Sequence, residues 1–346
     1  MKEQQRIHNE SLLVLCHEDV PVDISNRRMN GETNVMKKIH LPRYKQGGVN
    51  MIVMAVGGDQ IRPFCRPQSM FPTYTYGALH SIVQMYAEER ESNGEFFIIT
   101  SKKDLERLTP DGPIGVSLHI EGGKPLSGQI SMLDVYYRLG VRSMQLAWNG
   151  RNELADSTSE KHPGGLTKFG IDVIIAMNDL GILIDVSHLA EPSFWDAIEY
   201  SKSPIVATHS NAKFLTDHPR NLTDEQIKAI ALKEGIIGIV FYPPFVRKEN
   251  PNIDDVINQI DYIKNLVGVD YIGIGPDFID YAPDLIHGDV LARGIPIVEK
   301  FPLDIENVTK MPNITKKLLE RGYKEEEIKK ILGDNFLRVF KEVLKK

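Results

Sequence analysis

Five short apolar runs end in residues that can bind cations or move protons. The run at 12–16 leads into His17-Glu18-Asp19, and the run at 114–120 carries His119 and ends at Glu121. The run at 182–186 leads through Asp185 to His188, 205–208 leads to His209, and 271–275 leads to Asp277. Gathering imidazoles and carboxylates costs desolvation and like-charge repulsion unless a cation neutralises them. That donor set suits Zn²⁺, and other divalent first-row ions can use the same groups. Gly57-Gly58 and Gly122-Gly123 read as tight turns where backbone approaches a site closely. Neither glycine pair belongs to a phosphate-cradling loop pattern.

The elements that must position these groups follow from the apolar runs. Runs at 12–16, 51–56, 114–120, 141–147, 182–186, 205–208, 236–241 and 271–275 are rich in Val and Ile and lack polar alternation, with 96–100 as a ninth candidate. Such runs suit strands buried on both faces of a parallel sheet. Helix-period segments lie between them at 76–90, 167–180, 254–266 and 314–321, with another helix opened by Thr223 as N-cap. The stretch 325–344 reads as a helix pair broken near Gly333-Asp334-Asn335. Eight strand–helix units predict an α/β fold: a (β/α)8 TIM-type barrel with additional C-terminal helices, one domain over 1–346. A doubly wound sheet is the alternative, because periodicity does not distinguish a closed sheet from an open one. In a barrel the C-terminal strand ends share one mouth, and the His and carboxylate residues fall there.

Composition narrows the partners. The chain has 346 residues, 42% hydrophobic and 25% charged, with a net charge of −6. That balance argues against a broad nucleic-acid surface. No apolar run has the length of a membrane span, the first residues lack a signal-peptide core, and the last lack a lipid-anchor tail. The expectation is a cytoplasmic protein with no membrane partner. Cys16 and Cys65 do not make a disulfide framework. Cys16 reads as a small buried strand residue, directed away from His17 by strand alternation. His119 reads as barrel filling, Asp185 as a hydrogen-bonding partner, His218 as structural, and the charge run 324–330 as a solvated helix face.

The order and combination of motifs resemble the renal or membrane dipeptidase family, zinc metallopeptidases of the amidohydrolase-type barrel. The resemblance runs from 12 to about 340. It is carried by Leu13-Val14-Leu15-Cys16-His17-Glu18-Asp19, Leu118-His119-Ile120-Glu121-Gly122-Gly123, Ile184-Asp185-Val186-Ser187-His188, Thr208-His209-Ser210-Asn211-Ala212, His218-Pro219-Arg220-Asn221 and Gly273-Ile274-Gly275-Pro276-Asp277-Phe278. It implies two Zn²⁺ per chain, with His17 and Asp19 on one ion, His188 and His209 on the other, and Glu121 bridging both. It further implies Asp277 as acid/base and Arg220 as the holder of a dipeptide's C-terminal carboxylate, with Tyr242 nearby. The family is often homodimeric.

The sequence departs from the family in three places. Trp148-Asn149 stands where mammalian members have a His that helps bind the scissile carbonyl, so both residues become substrate-binding candidates. Trp148 reads equally as pocket wall or as a ring packed beneath its loop. Ile279-Asp280 follows Asp277-Phe278 where Asp-Gly is frequent, and Leu15 occupies a position commonly acidic. The implied function is dipeptide hydrolysis. Amidase, lactonase or β-lactam hydrolysis on the same barrel stay open, because a metal site does not choose the acyl group. A scaffold that lost catalysis is disfavoured, since all five implied ligands are present.

Overall fold

A computed structural model describes residues 3–59, 73–280 and 301–345. Nine strands occur among them: β1 Leu13–Glu18, β2 Val49–Gly58, β3 Phe96–Ile98, β4 Ile114–Glu121, β5 Val141–Gln145, β6 Leu183–Asp185, β7 Ile205–Ala207, β8 Ile236–Ile239 and β9 Ile272–Ile274. Every pairing is parallel. β1 pairs with both β2 and β9, and β2 pairs with β4, so eight strands close into a barrel and the doubly wound alternative falls. β3 lies outside that ring. It pairs with Ile114–Val116 of β4, and β5 takes the same edge from Leu118 onward.

The closed sheet sorts its side chains into two cores. Leu13, Leu15, Ile52, Met54, Val116 and Ile184 face outward and pack with helix residues such as Ile82, Val173, Ile230 and Ile260. Val14, Cys16, Met51, Val53, Val206 and Ile236 form a second cluster with Phe336, Phe340 and Val343 of the last helix. Arg338 of that helix donates to the carbonyls of Glu234 and Asp270, just before β8 and β9. The last helix therefore seals the N-terminal end of the barrel, opposite the C-terminal strand ends that carry the His and carboxylate residues.

Caps place the outer helices. Thr73 opens Tyr74–Glu91, Thr167 opens Lys168–Leu180, and Thr223 with Gln226 forms a capping box before Asp224–Leu232. Asn252 opens Ile253–Val267. The expected break near Gly333 does not occur. Glu325–Lys329 continues through a π turn, Lys330–Asp334, into Asn335–Val343. Gly333 serves a close approach instead, since a Cβ there would stand 2.1 Å from the Leu12 carbonyl oxygen.

Strand alternation also fails at one point. The β1–β2 register shifts between Leu15 and Glu18, so Cys16 joins Val14 in the interior while His17 beside it reaches the mouth. Cys16 is a buried free thiol against Gly238 and Gly273; Cys65 lies outside the described residues. Among the described residues no helix is long and apolar enough to cross a membrane.

Candidate active site

The mouth of the barrel is built from strand ends. His17 Nε2 lies 3.4 Å from Glu121 Oε1, 3.9 Å from Asp277 Oδ1 and 4.0 Å from Asp19 Oδ1. His188 Nε2 is 2.9 Å from His209 Nε2, and these two nitrogens are 3.8 and 3.9 Å from Glu121 Oε1. Glu121 thus stands between a His17–Asp19–Asp277 set and a His188–His209 set. Donor atoms of His17, Glu121 and His209 lie within 4.8 Å of one another, as do those of His17, Asp19 and Asp277. His188 and Asp277 hold left-handed backbone, with φ of 67° and 58°. For residues with a Cβ that conformation is strained, and strain of this kind collects where a side chain must be aimed.

Electrostatics sort the imidazoles. Burial lowers the His17 imidazolium, but the carboxylates of Glu121, Asp277 and Asp19 outweigh it and push it up to about 10. Burial, with the charges of Arg220 and His17, holds His188 and His209 well below the ordinary range. Both are therefore neutral, the form that ligates a metal. His17 is fully buried and neither ring nitrogen has a hydrogen-bond partner. A buried imidazole outside hydrogen-bond geometry, with clustered carboxylates 3.4, 3.9 and 4.0 Å from one ring nitrogen, fits a divalent cation in its chemistry and its burial.

Arg220 comes to the same mouth. Its Nη2 donates to the His209 carbonyl at 3.2 Å, and its guanidinium lies 5.3 Å from the Phe245 ring centre. Burial lowers it to about 10, against the pull of Asp277, Asp185 and Glu121. Arg220 and His188 line a cavity of about 60 Å³ with Ser210, Lys213 and Gln226. Tyr242 caps the short helix Pro243–Val246, and burial followed by the Asp277 charge pushes its phenol up. The half-buried Trp148 ring is centred 6.1 Å from the His188 ring, and Asn149 Oδ1 is 3.1 Å from His188 Nδ1.

The sequence pattern of the membrane dipeptidase family, peptidase family M19, matches residues 1–346. The chain belongs to this family. An uncharacterized protein in the pqqA 5′ region of Klebsiella pneumoniae is 35% identical over 263 residues, covering 73% of this chain and 90% of that protein. Dipeptidase tcpJ of Claviceps purpurea (strain 20.1) is 28% identical over 352 residues, covering 98% of this chain and 77% of that one. An amidohydrolase crystal structure from Pseudomonas aeruginosa superimposes with a TM-score of 0.82 at 26% identity, covering 99% of both chains. Membership makes this chain a hydrolase of the metallodipeptidase type on an amidohydrolase-type barrel.

The structure of this dipeptidase adds one residue that sequence reasoning missed. Asp59 follows β2 and is buried. Its carboxylate accepts from Lys124 N at 2.9 Å, Trp148 N at 3.1 Å and Asn152 Nδ2 at 2.9 Å, so one side chain ties the loops after β4 and β5. A Cβ on Gly122 would stand 2.4 Å from that carboxylate, which explains the glycine. The signal was available: an apolar run ending in an acid, as on four other strands, but masked by Gly57-Gly58.

Asp185 Oδ1 accepts from Ser187 N and Thr208 N, as a hydrogen-bonding partner would. His119 is buried in the barrel, with Nδ1 2.9 Å from Ser143 Oγ and Nε2 3.7 Å from Asp185 Oδ2, so it sits beside the site as well as filling space. His218 Nδ1 accepts from Arg220 N and its ring packs on Phe245. Of the departures, Leu15 is outer core and Asp280 pairs with Arg43.

Proposed function

We propose that this chain hydrolyses dipeptides at a binuclear Zn²⁺ centre held by His17, Asp19, Glu121, His188 and His209. The single supporting observation is the buried convergence of His17, His188 and His209 on Glu121, with Asp19 4.0 Å from His17 at the rim and neither His17 ring nitrogen in a hydrogen bond. Divalent ions bound there would supply Lewis acidity toward the peptide carbonyl and acidify a water at neutral pH.

The chain's own residues do the rest. Asp277 takes a proton from the attacking water as its oxygen bonds to the carbonyl carbon, then delivers it to the amine nitrogen as the C–N bond breaks. Arg220 pairs with the substrate's C-terminal carboxylate, a task suited to a fixed guanidinium fork. Its burial raises the worth of that pair, since little water competes. Tyr242 stands beside the carboxylate. Trp148 forms a wall of the pocket and does no proton chemistry, because indole offers only one N–H donor.

The test joins metal analysis to a substrate panel. After saturation with zinc, elemental analysis is expected to give two ions per chain, and one or none overturns the binuclear reading. The loaded enzyme should cleave dipeptides and lose that preference when the substrate C-terminus is amidated. Cleavage confined to lactones or β-lactams would replace the dipeptide reading with the other hydrolase class. Arg220→Ala should weaken free-carboxylate substrates far more than amidated ones; equal loss on both removes Arg220 from its role.

A further inference from the structure

We propose that Asp185 and Thr208 form a positioning pair that fixes His209 as its Nδ1–H tautomer, keeping the Nε2 lone pair turned into the barrel mouth. Asp185 ends β6 and is fully buried. Its Oδ1 accepts two backbone N–H groups, from Ser187 at 2.9 Å and Thr208 at 3.0 Å. Its Oδ2 accepts from the Thr208 hydroxyl at 2.5 Å. A hydroxyl has one proton. Once that proton points at Asp185, Thr208 Oγ1 can only accept from His209 Nδ1, 2.9 Å away. A neutral imidazole carries one N–H, so placing it on Nδ1 leaves Nε2 bare.

The consequence lies across the mouth. His209 Nε2 faces His188 Nε2 at 2.9 Å. Two bare nitrogens at that distance repel, so in the metal-free chain the shared proton belongs to His188. His188 can accept this because its Nδ1 faces Asn149, whose amide can present either oxygen or nitrogen. His209 has no such freedom. One imidazole is locked and its neighbour adapts, which suits a site where a cation replaces a single proton between them. The use of the lone pair rests on the metal reading proposed above; the tautomer does not.

The experiment uses the full chain labelled with ¹⁵N-histidine, in chelator, and reads tautomers from long-range ¹H–¹⁵N correlations. The His209 signal is identified by its loss in His209→Gln. The expected parent spectrum shows His209 as Nδ1–H and His188 as Nε2–H; an Nε2–H pattern at His209 overturns the proposal without any variant. Thr208→Val keeps the shape and removes the acceptor, so His209 should move toward Nε2–H. Zinc affinity, read by chelator competition, should fall about 10–100-fold, the usual loss when a ligand's hydrogen-bond partner is removed. Thr208→Ser should restore both readings. An unchanged tautomer in Thr208→Val, or a changed tautomer with parental zinc affinity, overturns the proposal. A parent that shows Nδ1–H at His209 but binds no zinc supports the pair and sinks the metal reading instead.

Discussion

At the scale of single residues the proposed site separates groups that would hold a cation from one that would move a proton. Asp277 lies 3.9 Å from His17 Nε2 and faces the mouth from strained backbone after β9, yet it is more exposed than Glu121. An exposed rim and a fixed direction suit a carboxylate that meets substrate. Asp277→Asn should therefore retain zinc and lower kcat by about 10²–10⁴-fold, the usual contribution of positioned acid/base help. Steady-state kinetics beside metal analysis checks this, and parental kcat with full metal content would assign the proton to another group. The residues of this set were legible because each follows an apolar run, where a barrel puts its chemistry. Asp59 was not, since two glycines separate it from its run and nothing local shows that its carboxylate spans two loops. Asn149 was read toward substrate from its position alone, and only the fold shows its oxygen against His188 Nδ1.

At the scale of elements, parallel strands buried on both faces leave a continuous apolar signature, so all nine were legible, including the outer β3. Register and long-range approach were not. The β1 shift that lets Cys16 and His17 share the barrel side depends on pairing with β2, and Gly333 answers to the Leu12 carbonyl rather than to its own helix. The charge run 324–330 shows the same limit. Apart from Ile328 it is an exposed or half-exposed face as expected, but that face also pairs with distant segments, Arg6 with Glu325, Lys264 with Glu327 and Lys330 with Asp270. Asp59 holds elements by a similar device but in a buried place. Asp59→Asn keeps the shape, yet the amide has one acceptor atom where the carboxylate has two, so a donor NH₂ must face Lys124 N or Trp148 N. A buried donor left without its partner costs about 1–3 kcal/mol. Chemical unfolding should show a loss of at least that size, with the loops after β4 and β5 exchanging amide hydrogen faster than the strands. A variant as stable as the parent would show that those loops hold themselves.

At the scale of the whole molecule the barrel has one end closed by apolar packing and one end left to charge. Phe336, Phe340 and Val343 seal the floor, whereas Glu121, Asp19, Asp277 and His17 crowd the mouth. The proposed ligands come from β1, β4, β6 and β7, so a bound cation would cross-link chain segments from His17 to His209 that an unfolded chain cannot bring together. Binding to the folded state alone stabilises it by about 2.7 kcal/mol per site when free ligand is a hundred times Kd. With an unfolding entropy of about 2.1 cal/mol/K per residue, a chain of this size should gain about 4 °C in Tm for each site at that ratio. The shift should grow with the logarithm of free zinc and vanish in excess chelator. It should also be local in hydrogen exchange. The C-terminal ends of β1, β4, β6 and β7 should gain protection on zinc binding, while sub-global openings of Asn335–Val343 at the floor should keep their rate. Thr208→Val should need about 10–100-fold more zinc to reach the same Tm, since it weakens affinity without removing a ligand. A melting curve that does not move between chelator and saturating zinc would mean that the carboxylates at the mouth are neutralised by His17 and Arg220, and that no cation centre joins these strands.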